Sequence, residues 1–270
     1  MYKIISLLVL AVSMPSFGSL TDFLIMSSDG EMLRVDGTTL NATHVADLDI
    51  RGTTLQKIEL EYVSDSQIYL THTEGLSVYN SVELTLETVF TQQNIRDIPG
   101  IYFHPIAGLA QSADGKILTT IRGLEIGQGP FAAGITTDPK NNNWELTSPH
   151  IHLQYSLDAH RIGEGRYFAI DGDHSLHIIN EGADESEAAY ANYFKDFYYP
   201  VSIFESDGSM FMIDTSGEIY SFDPDTGISE RYGQINGVDG LYLLAATAVP
   251  APSSATCLAF ACLLGTKRRR

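Results

Sequence analysis

The sequence predicts an all-β chain, a β-propeller of four-stranded antiparallel blades, five in number with six as the alternative. Three observations carry that reading. Residues Pro200 to Ile235 hold four short apolar-rich runs separated by turns of two to four residues, and Met210, Met212 and Asp214 alternate there against Phe211 and Ile213. A period of two is the mark of a strand. Similar units recur, with second strands starting near residues 22, 66, 116, 166 and 209, intervals of 43 to 50 residues that suit a four-stranded blade. Finally, the N-terminal unit lacks a first strand while Gly240 to Ala246, GLYLLAA, is an apolar run left over at the other end. Joining the two in one blade would close a ring and remove free sheet edges.

The unit at 200–235 serves as the template. Its strands are Val201 to Glu205, Ser209 to Asp214, Glu218 to Phe222 and a fourth run reaching Ile235, with turns at Asp207-Gly208, Thr215-Ser216-Gly217 and Asp223-Pro224-Asp225-Thr226-Gly227. Pro fixes φ in such a turn and Gly takes a positive one. The first unit supplies Phe23 to Ser27, a Ser28-Asp29-Gly30 turn, Glu31 to Val35 and Thr43 to Leu48. The second supplies Ile58 to Val63, Gln67 to Thr71, Leu76 to Asn80 and Val82 to Val89, with Ser64-Asp65-Ser66 as a turn. A polar connection, Thr91 to Phe103, leads on; a degenerate strand pair hidden in it would make six blades.

The third unit opens with PIAGLAQSADGKIL, Pro105 to Leu118, which lies over Pro200 to Phe211 with a one-residue shift at the Asp-Gly turn. Between Ile121 and Ala132 it carries the Gly-rich RGLEIGQGPF, expected as an excursion projecting from one face of the scaffold. The fourth supplies Asp158 to Ile162, Arg166 to Asp171, Ser175 to Ile179 and Ala188 to Phe194, turned by Gly163-Glu164-Gly165 and Gly172-Asp173. Tyr190, Tyr193, Phe194, Phe197, Tyr198 and Tyr199 then form an aromatic cluster expected to fill the join to the template blade.

The termini read as addresses. Lys3, the apolar run Ile4 to Val12 and Ser16-Phe17-Gly18 make residues 1–18 a signal peptide cleaved after Gly18, which leaves residues 19–248 as the propeller domain. The tail, residues 249–270, runs Val249-Pro250-Ala251-Pro252, then small and apolar residues Ser253 to Thr266, then Lys267-Arg268-Arg269-Arg270. As a helix the apolar part spans about 21 Å at ~1.5 Å per residue, short of a ~30 Å bilayer core, and the basic end would stay on the cytoplasmic side.

This order resembles the PEP-CTERM sorting signal of exported Gram-negative proteins, with Ala251 where that motif has Glu. The resemblance covers the tail alone. It implies an exosortase-like processing enzyme as partner, a membrane contact that is only transient, and delivery to the cell surface or extracellular matrix, where surface polysaccharide is a candidate partner.

The formal charge is −18, and five of the sixteen basic residues, Lys3 and Lys267 to Arg270, lie in the two terminal segments. The remaining body carries 11 basic against 34 acidic residues, or −23. Phosphate neutralisation needs a basic face, so nucleic-acid binding is excluded. Both cysteines, Cys257 and Cys262, sit in the tail, so no disulfide staples the body.

No Gly-x-Ser-x-Gly, His-Glu-x-x-His or phosphate-cradling glycine loop occurs, and no catalytic residue or cofactor is expected. First strands line a propeller's channel, so His104, Asp158 and His160, near the starts of first strands, are the candidates for a channel metal. The pairs His150 with His152 and His174 with His177 are spaced too generically to add to them. Asp171-Gly172-Asp173 and Asp223-Pro224-Asp225 are acidic turns without a complete calcium loop. The leading expectation is a non-enzymatic binding or display propeller; the alternative is a metal-dependent hydrolase or lyase acting on a lactone or polysaccharide.

Overall fold

A computed structural model describes residues 19–50, 58–64, 66–72, 75–91, 93–94, 106–111, 116–125, 129–138, 143–151, 156–163, 166–171, 176–180, 187–190, 200–223 and 228–249. The signal segment 1–18 and tail residues 250–270 lie outside them, as do 95–105, His104, Tyr193, Phe194, Phe197, Tyr198, Tyr199 and the turn residues 224–227. The described residues form four-stranded antiparallel sheets, a propeller-like all-β architecture. The first sheet takes β1 (Phe23–Ser27), β2 (Glu31–Val35) and β3 (Ala42–Asp47), the second β4 (Leu60–Ser64), β5 (Gln67–His72), β6 (Gly75–Asn80) and β7 (Thr85–Thr91). The third takes β8 (Ile106–Gln111), β9 (Ile117–Glu125), β10 (Gly129–Asp138) and β11 (Asn143–Ile151), and the fourth β12 (Ser156–Gly163), β13 (Arg166–Asp171), β14 (Leu176–Asn180) and β15 (Glu187–Tyr190). The fifth takes β16 (Pro200–Ser206), β17 (Ser209–Asp214), β18 (Glu218–Phe222) and β19 (Ser229–Gln234). In four of these sheets the strands follow chain order. The first is different: its order is β20-β1-β2-β3, with β20 (Leu243–Ala248) arriving from the far end of the chain.

Local chemistry makes the template sheet. Asp207 and Gly208 both have positive φ, 49° and 74°, and the two-residue turn they form matches the right-handed twist of the strands it joins. The next turn is held by Asp214, whose Oδ1 accepts from the Ser216 N–H at 2.8 Å, the Ser216 hydroxyl at 2.7 Å and the Glu218 N–H at 2.9 Å. Gly217 follows at φ 85°, where a side chain would be strained.

β1 is buried along its whole length and faces two cores. Phe23 and Ile25 pack with Phe204, Phe211, Ile213 and Ile219 of the last sheet and with Leu243 of β20 in their own sheet. Leu24 and Met26 pack with Ile58, Leu60, Ile68 and Leu70 of the second. The alternation of the strand thus feeds both neighbours at once. Phe23 stacks on Phe204 at 5.3 Å between ring centroids, and Phe204 on Phe211 at 6.0 Å. Further round, Phe168 and Leu176 of the fourth sheet pack against Ile203, Met210, Met212 and Phe222 of the fifth.

Adjacent first strands are also joined by side chain to backbone hydrogen bonds. The Ser202 hydroxyl on β16 donates to the Ala246 carbonyl on β20 at 2.8 Å. Thr247 on β20 accepts from the Tyr62 N–H on β4 at 3.2 Å, and Glu61 on β4 accepts from the Gln111 N–H on β8 at 3.2 Å. These bonds satisfy backbone groups at an inner edge that no further strand covers.

Every outermost strand carries a β-bulge against its neighbour. The extra residue is Val45 in β3, Val89 in β7, Thr147 in β11, Ala189 in β15 and Tyr232 in β19. A bulge strengthens the local twist and spoils the edge as a template for another strand.

Several sequence expectations shift. The closing strand is Leu243–Ala248 rather than 240–246, because Gly240 adopts φ 82° in a turn closed by the Leu241 N–H on the Val238 carbonyl at 3.0 Å. β7 starts at Thr85 and not at Val82, since the Asn80 side-chain oxygen accepts from the Val82 and Glu83 N–H groups at 3.0 and 3.1 Å and turns the chain there. The Gly-rich segment at 121–132 is largely strand: β9 and β10 stay paired from Ile117 with Thr137 out to Glu125 with Gly129. Val249, expected in the tail, belongs to the folded body. It is buried, its N–H donates to the Asp22 carbonyl at 2.9 Å, and its own carbonyl accepts from the Thr21 hydroxyl at 3.4 Å.

Leu243 is fully buried between the first and last sheets. Leu243→Ala is expected to cost about 2–5 kcal/mol of stability by chemical denaturation.

Candidate functional site

Among the described residues, a candidate site lies between β3 and the β6–β7 hairpin. Val45, Ala46, Asp47, Leu48 and Asp49 form one wall of an open groove of about 350 Å³, and Tyr79, Leu84 and Leu86 form the other. Leu48 and Tyr79 are buried members of the core shared by the first two sheets, so the floor is continuous with it. The upper walls are different. Leu84 is 73% exposed and Val82 beside it 75%, with Val45 and Leu86 also open to solvent.

Two backbone features set this display. The bulge falls on Val45, leaving it out of the pairing of Met32 with Ala46 and Leu33 with His44, and bulges of this kind re-aim side chains. In the opposite wall Leu84 has φ 55°, a left-handed conformation that costs a non-glycine residue about 1–2 kcal/mol. The same left-handed leucine ends the β2–β3 turn, where Leu40 has φ 56°, so what distinguishes Leu84 is its exposure.

The polar part of the groove is acidic. Among the described residues of its lining, Asp47 and Asp49 are the charged ones, both exposed, and none is Lys or Arg. Beside it, His44 Nε2 lies 2.9 Å from Asp47 Oδ1. That hydrogen bond raises the imidazole pKa above its ordinary value, against an opposing effect of desolvation and with lesser help from the Asp47 and Glu31 charges. The arrangement offers an apolar socket with carboxylates at its lip. Among the described residues of its lining there is no nucleophile paired with a base.

The channel candidates are only partly assembled. Asp158 and His160 sit two positions apart on β12, opposite Ile170 and Phe168 of β13, and His160 is half-buried. His104 lies outside the described residues, and among those residues no group of three His, Cys, Asp or Glu side chains is placed to hold a metal. Of the other histidines, His150 falls in β11 and His177 in β14, on different sheets. Sequence reading missed Glu59, just ahead of β4, which is 1% exposed. Its N–H donates to Thr71 Oγ1 at 2.9 Å, and the Thr71 N–H returns a bond to its carbonyl at 3.0 Å. It missed the rim groove too, because Val82, Leu84 and Leu86 alternate like a strand and gave no sign of lying in and beside a turn.

The His44 ring is expected to titrate above the usual imidazole midpoint when followed by NMR, and Asp47→Asn should bring the midpoint down. An unchanged midpoint in the variant would remove Asp47 as the cause.

No protein-family model matches the chain, and no curated protein sequence does. Among solved structures it is similar to a Bacteroides thetaiotaomicron protein of unknown function, at 12% identity and a TM-score of 0.50 over 81% of this chain and 56% of the other. It is also similar to PorZ, an essential bacterial surface component of the type-IX secretion system of Porphyromonas gingivalis, at 15% identity, TM-score 0.43, and 87% and 28% coverage. A third similar structure is a luciferin-regenerating enzyme, at 9% identity, TM-score 0.48, and 87% and 75% coverage. The chain spans little more than half the length of the first of these and under a third of the second. At such identities the likeness concerns the fold alone.

Proposed function

We propose that the chain is an exported five-bladed propeller, closed by β20, that works as a non-enzymatic binding and display platform on the cell surface or in the extracellular matrix. The observation that carries the binding role is the rim groove, because keeping several aliphatic side chains in water costs about 25 cal/mol for each Å² that a partner would cover. Closure is supported by the way first strands neighbour one another: β20 packs against β4, β4 against β8, β8 against β12, β12 against β16, and β16 against β20.

Export rests on the terminal segments. Ser19 directly follows the expected cleavage point, and its hydroxyl donates to Asp207 Oδ2 at 2.9 Å while Leu20 is already buried. At the other end Val249, directly ahead of Pro250-Ala251-Pro252, is held by its N–H on the Asp22 carbonyl. An exosortase-like enzyme would make the second cut, and surface polysaccharide is among the ligands the platform would meet.

The test is the intact mass of protein recovered from the native cell surface and medium. The expected chain begins at Ser19 and ends close after Val249. A chain that retains residues 253–270 would instead be a membrane-tethered protein, and the sorting reading would fall.

A further inference from the structure

The rim groove also says what kind of ligand it takes, an inference that rests on its being the binding surface. Its floor and walls are aliphatic and aromatic, from Leu48 and Tyr79 below to Val45, Leu84 and Leu86 above, so an apolar side chain is the group that gains by entering. At the lip stand Asp47 and Asp49, exposed, and among the described lining residues none is Lys or Arg. A ligand whose apolar anchor is flanked by positive charge would meet both features together.

Three other occupants fit less well. Strand addition is disfavoured because β3, the outermost strand here, is bulged at Val45 and does not offer a regular edge. A second copy of the chain would bring its own net charge of −18 against the first, and an anionic bilayer would be repelled in the same way. The long-range field that rejects those partners attracts a basic one and speeds its arrival.

We propose that the groove between β3 and the β6–β7 hairpin binds a basic peptide segment of another protein, seating aliphatic side chains against Val45, Leu84 and Leu86 while neighbouring Lys or Arg side chains meet Asp47 and Asp49. Leu84 is the specificity-determining residue, since its left-handed backbone at φ 55° holds it at the groove wall. His44, hydrogen-bonded to Asp47, is the partner that the ligand's own charge would replace.

The test uses the full chain and a short fluorescent peptide of alternating Lys and Leu, with Lys-Ser and Glu-Leu peptides of the same length as controls, followed by anisotropy. Leu84→Asn combined with Val82→Ser removes the apolar wall at exposed positions, and Asn tolerates positive φ, so the melting temperature should not fall. The expected result is binding of the Lys-Leu peptide alone, weakened at least about tenfold by that double variant and several-fold by Asp47→Asn with Asp49→Asn. Raising salt from about 50 mM to about 500 mM should weaken it as well. The proposal is overturned by any of several outcomes: no binding of the Lys-Leu peptide, equal binding of either control, or binding that the folded variants leave unchanged. Sedimentation showing a dimer that the Leu84→Asn, Val82→Ser variant dissolves would assign the groove to a second copy and overturn it too. Binding seen only when residues 250–270 are cut away would assign the groove to the chain's own basic end. Export and processing are read separately by intact mass, so failure here leaves that reading standing.

Discussion

The pairing of β1 with β20 is the constraint on which the rest of the structure depends. It joins residues more than two hundred positions apart, Phe23 with Ala248 through Met26 with Ala245, and a shifted contact brings Ser27 to Leu243. Such a contact costs loop-closure entropy that grows only slowly with length, and it is rewarded by the burial of both strands on both faces. Without β20, the first sheet would present β1 as a bare edge, and the Phe23, Ile25, Leu243 core would be open along one side. The Ser202 and Thr247 hydrogen bonds fasten the same strand to its two neighbours, so β20 links three sheets rather than two. A second fastening lies at the rim, where Asn236 donates to the Leu40 carbonyl at 2.8 Å and accepts from the Ala42 N–H at 3.0 Å.

From this rigid centre the character of the surface follows. Inner strands are held by neighbours on both faces, whereas β3, β7 and β19 are mostly exposed. Each outer strand answers the aggregation hazard of an open edge with a bulge at a similar place, a repeat in backbone geometry. In β19 the bulged Tyr232 lies edge-on over Phe211 at 5.3 Å and so covers the core. In β3 the equivalent Val45 is turned toward the groove instead. One device therefore closes the scaffold at one rim position and opens a socket at another.

Much of the scaffold was legible in the sequence because strands and turns are local. The alternation of Met210, Phe211, Met212 and Ile213 and the Asp207-Gly208 turn placed β17 at its observed bounds, and β1, β2, β13 and β18 fell where their patterns put them. The spare C-terminal run was legible as a partner for the first sheet because an odd strand has to pair somewhere. Its bounds moved because apolar character did not distinguish the Gly240 turn from the strand after it. The groove was hidden for a different reason. Exposure of Val82 and Leu84 follows from an Asn80 side-chain bond and a positive φ, and the groove itself needs two sheets side by side, which no single segment encodes. The channel candidates illustrate the converse, since Asp158 and His160 share a strand by spacing alone while any third ligand would have to come from another sheet.

The account stands on β20 being an integral part of the first sheet, and hydrogen exchange read by mass spectrometry tests that most directly. Amides of residues 243–248 should be as strongly protected as those of 23–27 and should exchange with them in one cooperative event near global unfolding. Exchange of the 243–248 segment well ahead of 23–27 would mean that the last strand is merely laid against the body, and its place as a full member of the first sheet would be contradicted.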